Sequence, residues 1–443
     1  MAAPLLAWYG DDFTGATDTL ATLHQAGLRA LLFLGVPDAA RRQAAAQALG
    51  GPLQAVGIAG AARAMDPAAM EAELQPVGAF FASLRAPVLH YKVCSTFDSA
   101  PDIGSIGKAV RVLRRHVANP LVPIVGGQPS LGRYCSFSNL FAAAGRGGAV
   151  ERIDRHPTMS RHPVTPMAEA DLRRHLALQA LAPVAAMHAP AWLQDAQQQR
   201  TQLAQLGAAQ PAAVLLDLTD DAQLPHIGRL LWEQACLQPL LAVGPSSVAQ
   251  ALAAHWLASG TIAGATSAAA PLEPAGAPVF TFAGSLSPVT AAQVRAARSY
   301  QPLALSASAL REPGGQAQAV RQVCAALQAG RHVLAFTAPA DGQVPDTRDA
   351  TAVAQASAQL VRAVVLERAQ AGQPLARVGI AGGDTSSHTA LALGLWGLSC
   401  RATLGAGVTV STAHSDDPAL DGMALMLKGG QMGGQDVFER LLG

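Results

Sequence analysis

The sequence predicts two α/β domains, each a mostly parallel sheet flanked by helices. Three observations carry that expectation. Short apolar runs alternate with longer segments of helical period. A stretch of small, sparsely charged residues, 259–277, separates one such alternation from another. The 443 residues are 50% hydrophobic, enough for more than one sizeable core. The expected domains are 1–258 and 278–443, joined by the linker 259–277.

The elements follow in order. Leu5 to Tyr9 reads as a strand, and Thr14 to Gln25 as a helix with apolar Ala16, Leu20 and Leu23 on one face, ended by Gly27. Strands are expected at 30–34, 54–58, 88–93 and 121–125, with helices near 39–49, 67–85 and 104–117. The stretch 126–170, rich in Gly, Pro, Ser, His and Arg, shows little periodicity and reads as a long irregular segment with a functional task. Strands return at 213–218 and 240–243 around a helix near 221–236, and Gly244-Pro245-Ser246-Ser247 opens a further helix. Beyond the linker, strands are expected at 279–283, 333–336 and 378–381. Helices are expected near 288–298, 315–329, 350–371 and 385–394.

Composition removes several functions. Lys+Arg total 31 and Asp+Glu 30, a net charge of +1, so nothing marks a surface for nucleic acid or anionic membrane. No apolar run approaches the roughly 18 residues that span a bilayer. The first residues lack a basic leader, and the five cysteines are scattered without a CxxC pair, which points to a reducing cytoplasm. Only three of the 31 cationic side chains are lysines: Lys92, Lys108 and Lys428. In an arginine-rich chain these three are the cations to follow, as positions where an arginine does not serve in place of an ammonium.

Ligands of open parallel sheets bind at the carboxyl ends of the strands, and four strand ends carry unusual chemistry. Asp11-Asp12-Phe13-Thr14-Gly15 puts two carboxylates before a helix start, where they cap the helix or accept a hydrogen bond from a hydroxyl. Lys92-Val93-Cys94-Ser95-Thr96-Phe97-Asp98 places an ammonium close to a carboxylate, either as a buried pair or as a ligand site. Gly284-Ser285-Leu286-Ser287-Pro288 suits a helix cap or a phosphate. Gly382-Gly383-Asp384-Thr385 and Lys428-Gly429-Gly430 let a polyanion approach backbone N–H groups; together these three segments suggest a nucleotide site. Lys108 reads as a helix-surface residue. His156 and His162, with Arg155 and Arg161, bind an acidic ligand or pack their segment; their spacing is poor for a metal. His388 and His414 read as structural. No Walker A motif and no G-x-G-x-x-G follows any strand, which disfavours a dinucleotide-dependent oxidoreductase. A two-lobed sugar-acid binder without catalysis remains an alternative, although it has no need of the second glycine-rich cluster.

The chain resembles the four-carbon acid sugar kinases. The matching segments are Asp11 to Asp18, Lys92 to Ser99, Arg161-His162-Pro163-Val164-Thr165-Pro166-Met167, Gly284 to Ser287, Gly382 to Ser386 and Lys428 to Gln431. They run in order through nearly the whole chain. The resemblance implies an N-terminal domain that binds a sugar acid and a C-terminal domain that binds ATP, with magnesium arriving alongside the nucleotide. The product would be the 4-phosphate of threonate, erythronate or a 3-oxo-tetronate. One departure bears on the substrate: the residues after Phe97-Asp98, and Gly126-Gly127-Gln128-Pro129 with Arg133-Tyr134, differ from the 3-oxo-tetronate pattern. On this reading Arg63, Lys92 and Arg161 are candidates for the substrate carboxylate. Asp11, Thr14, Ser95 and His162 join them around the substrate. Asp12 and Asp98 orient its hydroxyls, with Asp12 the expected base. Ser285, Ser287, Gly382, Gly383, Asp384, Thr385, Gly429 and Gly430 cradle ATP, and Lys428 neutralises phosphate charge. The partners are small molecules, and a homodimer is compatible with the sequence.

Overall fold

The computed structural model describes residues 3–145, 147–162, 164–264, 272–285, 287–338 and 350–443. Two units divide the chain, Met1–Ala268 and Ala269–Gly443. The division falls within 259–277, of which residues 265–271 lie outside the described ones, as do Pro163 and Leu286 of the segments quoted above.

The first unit is built on eight parallel strands: β1 (Leu6–Gly10), β2 (Ala30–Phe33), β3 (Ala55–Ala59), β4 (Val88–Lys92), β5 (Pro123–Gln128), and, after a three-stranded excursion, β9 (Val184–Met187), β10 (Ala213–Asp217) and β11 (Leu240–Gly244). Their order across the sheet is β2-β3-β1-β4-β11-β5-β10-β9. β1, β3, β4, β10 and β11 are buried along their whole length, because helices cover both faces of the sheet. Such strands read as continuous apolar runs, which is why they were visible in the sequence.

From β1 the chain moves toward β2 at one edge, and from β4 it moves toward β5 on the other side. Right-handed crossovers then place the helix after β1 (Phe13–Gln25) and the helix after β4 (Ile106–Leu113) on opposite faces. The β1/β4 boundary is therefore the switch point, where a crevice opens at the carboxyl ends of the strands.

The stretch 126–170 is more regular than its composition predicts. It holds β6 (Arg133–Ser136), β7 (Asn139–Ala143) and β8 (Val150–Arg152), an antiparallel ribbon joined to the end of β5. These strands are too short to show a period, although Leu140 and Ala142 do alternate inward. β5 itself runs three residues further than expected, through Gly126 and Gly127, which read as a loop. Gly127 has φ +94°, and a Cβ there would lie 2.9 Å from the Cys135 nitrogen, so the ribbon can dock only on glycine.

The second unit repeats the principle. β12 (Phe280–Ala283), β13 (Tyr300–Ser306), β14 (His332–Ala338), β15 (Arg377–Ala381) and β18 (Ala424–Lys428) are parallel in the order β13-β14-β12-β15-β18. The hairpin β16 (Gly397–Gly405) and β17 (Val408–His414) continues it antiparallel from β18. β13 escaped the sequence reading because Pro302 interrupts it, which an outer strand tolerates. The hairpin and β18 were missed as well. β12 leads toward β13 on one side and β15 toward the hairpin on the other, so β12/β15 is the second switch point.

Candidate active site

At the first switch point the segments after β1, β3 and β4 converge. Asp12 caps the helix Phe13–Gln25: its carboxylate accepts from the Gly15 amide at 2.8 Å and from the Thr14 hydroxyl at 2.9 Å. Arg63 stands on a short 3-10 turn after β3, tied by its own N–H to the Asp11 carbonyl at 3.0 Å. Its guanidinium donates to both oxygens of Asp11, at 2.6 and 3.2 Å, and to Asp12 at 2.9 Å. Lys92 ends β4, and its Nζ lies 3.9 Å from Asp12. A Cβ on Gly15 would sit 1.8 Å from that Nζ, so the ammonium is laid over the first helical turn where only glycine leaves room.

The loop after β4 brings Asp98 to the same edge. The Thr96 hydroxyl donates to Asp98 at 2.5 Å. Between them Phe97 is fully buried with φ +54°, a left-handed conformation that an aromatic residue adopts only under constraint from its surroundings. The Gln179 amide donates to Ser99 at 2.8 Å, and His175 lies 2.9 Å from the same hydroxyl, so the far side of the loop is anchored too. Ser95 is half-buried on the same turn.

The electrostatics separate the two aspartates. Burial raises the Asp11 carboxyl above its ordinary value, and Arg63 only partly offsets this. Burial acts on Asp12 as well, but Arg63, Lys92, the Thr14 hydroxyl and the Gly15 amide outweigh it and hold Asp12 below the usual range. Asp12 is thus ionised at neutral pH. Burial pushes the Cys94 thiol up to about 11, so it stays protonated and is no nucleophile.

Arg161 and His162 behave differently from the expectation. Arg161 is exposed on the turn Met159–Arg161, and the His162 ring accepts from the Thr165 amide at 3.1 Å. Among the described residues no hydrogen bond or ion pair joins either to the Asp11–Lys92 cluster. His156 is buried and its Nδ1 accepts from the Thr158 and Met159 amides, which is the packing alternative. His414 is likewise buried, against Ser399. Lys108 pairs with Glu71 and is half-buried rather than a free surface residue.

The second switch point gathers the other group. Ser287 caps the helix Pro288–Ala296, accepting from the Thr290 amide at 3.2 Å and donating to the Gly430 carbonyl at 2.7 Å. The Ser285 hydroxyl accepts from the Ser287 amide at 3.2 Å. Gly382, with φ +130°, donates to the Lys428 carbonyl at 2.9 Å and leads into the helix Gly383–Ala392. Nothing lies within 4 Å of where a Gly383 Cβ would stand, and Asp384 is exposed, so the amides of this helix start are accessible to an anion.

Two residues here went unnoticed in the sequence. Thr290 donates to the Gly430 carbonyl at 2.7 Å, and the Gln293 amide donates to the carbonyls of Met432, Gly433 and Gly434 at 3.0 to 3.2 Å. Together they fasten the glycine-rich loop to one helix face. The spacing of Ser287, Thr290 and Gln293, three residues apart, was the available signal.

Lys428 lies beneath the glycine-rich loop, its side chain fully buried. The ammonium donates to the Gly429 carbonyl at 3.0 Å and to the Thr290 hydroxyl at 3.3 Å. Burial lowers its pKa to about 8. A lysine whose folded pKa lies below its unfolded value near 10.5 leaves the unfolded chain holding more protons between those two values, so stability rises with pH across that window and is flat below it. The gain should reach at most about 3 kcal/mol. Chemical denaturation of wild type and Lys428→Met from pH 7.5 to 10.5 checks this; a wild-type slope no steeper than the variant's would refute it.

Paired carboxylates with fixed cations at one switch point, and glycine amides with serine caps at the other, accord with the class that the relatives show, a phosphotransferase acting on a sugar acid hydroxyl. Residues 6–252 match the model of a sugar-binding N-terminal domain and residues 280–438 that of a nucleotide-binding C-terminal domain. The 3-oxo-isoapionate kinase of Paraburkholderia graminis is 41% identical, covering 99% of this chain and 94% of its own. The 3-oxo-tetronate kinase of Methylobacterium radiotolerans is 31% identical, covering 99% and 98%. The fold is that of a solved Salmonella typhimurium LT2 protein (TM-score 0.79, 22% identity, 98% of each chain) and of a Haemophilus influenzae protein (TM-score 0.71, 23% identity, 98% of each chain). The chain belongs to the four-carbon acid sugar kinase family. Among the described residues no helix is long and apolar enough to cross a membrane.

Proposed function

We propose that the chain transfers the γ-phosphoryl group of ATP to the terminal C4 hydroxyl of a 3-oxo sugar acid, with 3-oxo-isoapionate and 3-oxo-tetronate the first substrates to try. The observation that carries this reading is the Asp12–Arg63–Lys92 arrangement at the β1/β4 crevice. Asp12 is ionised, accepts three hydrogen bonds, and keeps lone-pair capacity for a fourth donor. That donor is the attacking hydroxyl. Its oxygen forms the new bond to the γ-phosphorus, the bond from phosphorus to the ADP oxygen breaks, and the hydroxyl proton passes to Asp12. Lys92, beside Asp12 and without a full-strength salt bridge, offsets the charge that builds on the phosphoryl oxygens. Asp98 orients a second hydroxyl.

Arg63 takes a different part from the one its sequence position suggested. Three of its N–H groups already serve Asp11 and Asp12, so it sets the carboxylates rather than gripping the substrate. The nucleotide phosphates lie along the amides of Gly383 to Thr385 and the loops at Ser285 and Gly430. Among the described residues no cluster of three or more His, Cys, Asp or Glu could hold a metal ion. Magnesium would arrive with ATP, held by phosphate oxygens of the nucleotide and by water. Five free cysteines accord with a cytoplasmic setting.

An ADP-release screen tests the proposal. The 3-oxo acids, the D and L forms of threonate and erythronate, and the matching neutral polyols would each be offered with Mg-ATP. Turnover on a 3-oxo acid is expected, with threonate and erythronate slower and polyols inert. Absence of turnover on every acid, in a protein that Mg-ATP stabilises thermally, would leave a binder rather than a kinase.

A further inference from the structure

We infer that Arg133 binds the carboxylate of the sugar acid and thereby sets the preference for acids over neutral polyols. This rests on the kinase reading above. It begins from a vacancy in the expected site. Arg63 is engaged by Asp11 and Asp12, Lys92 lies against Asp12, and Arg161 is exposed without a link to the cluster. A substrate carboxylate still needs a cation at this edge of the sheet.

The register of the ribbon supplies one. Arg133 stands opposite Gln128, the last residue of β5, and so lies at the carboxyl edge, as Lys92 does. Residues directly opposite in an antiparallel pair project from the same face. The Gln128 amide reaches Asp18 of the helix Phe13–Gln25 at 3.1 Å. Arg133 is therefore on the side of the helix whose first turn carries Asp12 and Thr14.

The guanidinium is incompletely partnered. Nη1 donates to the Leu131 carbonyl, but the enclosed Nε–H has no partner. Among the described residues no carboxylate forms an ion pair with Arg133. A half-buried guanidinium without an ion-pair partner is costly, and a carboxylate at its exposed edge would offset that charge in the charge-assisted geometry that arginine favours. Arg133 is also held in place. The turn that closes its hairpin has Phe137 and Ser138 in left-handed conformations, and their amides donate to the fully buried Asp217 carboxylate at 2.6 and 3.1 Å. The arginine is presented by a fastened ribbon, so little side-chain and loop ordering is left to be done on binding.

The test is steady-state kinetics of wild type, Arg133→Ala and Arg133→Lys on the best acid found, and on its carboxamide. For Arg133→Ala, KM for the acid should rise roughly tenfold to a hundredfold, as loss of a charge-assisted hydrogen bond implies. KM for ATP should stay within about twofold, and Arg133→Lys should recover part of the loss. The preference for acid over carboxamide should collapse in Arg133→Ala, a result that mere loss of packing does not produce. An active wild type whose acid KM and acid preference survive in Arg133→Ala overturns the assignment to Arg133 alone. If Arg133→Ala does not fold, Arg133→Lys decides in the same way: an unchanged acid KM overturns the assignment, and a selective rise supports it. A wild type inactive on every acid overturns the kinase reading, and this inference with it.

Discussion

Replacing Asp12 by Asn should lower kcat by roughly a thousandfold or more while leaving ATP affinity within about twofold. The expected size follows from two losses at once. General-base assistance contributes typically 10²–10⁴-fold. Asn also turns an acceptor-only group into one with an NH2 in place of an oxygen, so either the Gly15 amide or the Arg63 and Thr14 donors meet a donor instead of a lone pair. The nucleotide-binding unit does not contain Asp12, so Mg-ATP should still raise the thermal midpoint. Single-turnover measurement separates the chemical step from binding. A kcat within tenfold of wild type would move the base to another group, and Asp98→Asn would then be the variant to compare.

The second large effect concerns stability. Arg63→Met should destabilise the sugar-binding unit by about 3–5 kcal/mol at pH 7, the usual cost of removing one partner from a buried ionic cluster. That corresponds to a midpoint roughly 10 °C lower. Arg63 is the main cation that holds Asp11 and Asp12 together, and Asp11 is already raised by burial despite it. Arg63 lowers both carboxyls, so without the guanidinium each moves up and the variant's folded state holds protons to higher pH than the wild type's. The variant therefore loses stability relative to wild type as pH rises from 4, and the deficit should be larger at pH 7 than at pH 4. Thermal unfolding of wild type and variant at both values checks it. A deficit equal at the two pH values would mean that Arg63 acts by packing alone.

These effects depend on residues with different visibility in the sequence. Asp11, Asp12 and Lys92 stand out because each lies at the end of a buried, mostly apolar strand, where a run of polar residues is conspicuous. Arg63 stands out through the Ile58-Ala59-Gly60 strand end as a candidate for a ligand carboxylate, while its hydrogen bonds to Asp11 and Asp12 are visible only in the structure. Nothing local says that a guanidinium 51 residues away will turn to Asp12 rather than to a ligand. Arg133 was noticed only as a departure from a family pattern. Its strand has four residues, half of them polar, in a stretch where glycine and proline conceal the ribbon. Lys428 stands out as one of three lysines, yet whether an ammonium lies in a loop or under it depends on how Thr290 and Gln293 draw that loop down.

Two α/β units, most of their buried strands and the polar strand ends are legible in the amino-acid sequence. The reason is that fully covered parallel strands and capped helices leave local, periodic marks. Which charges meet is visible only in the folded chain: Arg63 serves Asp11 and Asp12, Lys428 is sealed, and the Nε–H of Arg133 is left unpaired. Those pairings join residues far apart in the chain, and which partner a charge takes is settled by register, crossover direction and burial, none of which is written in a local segment.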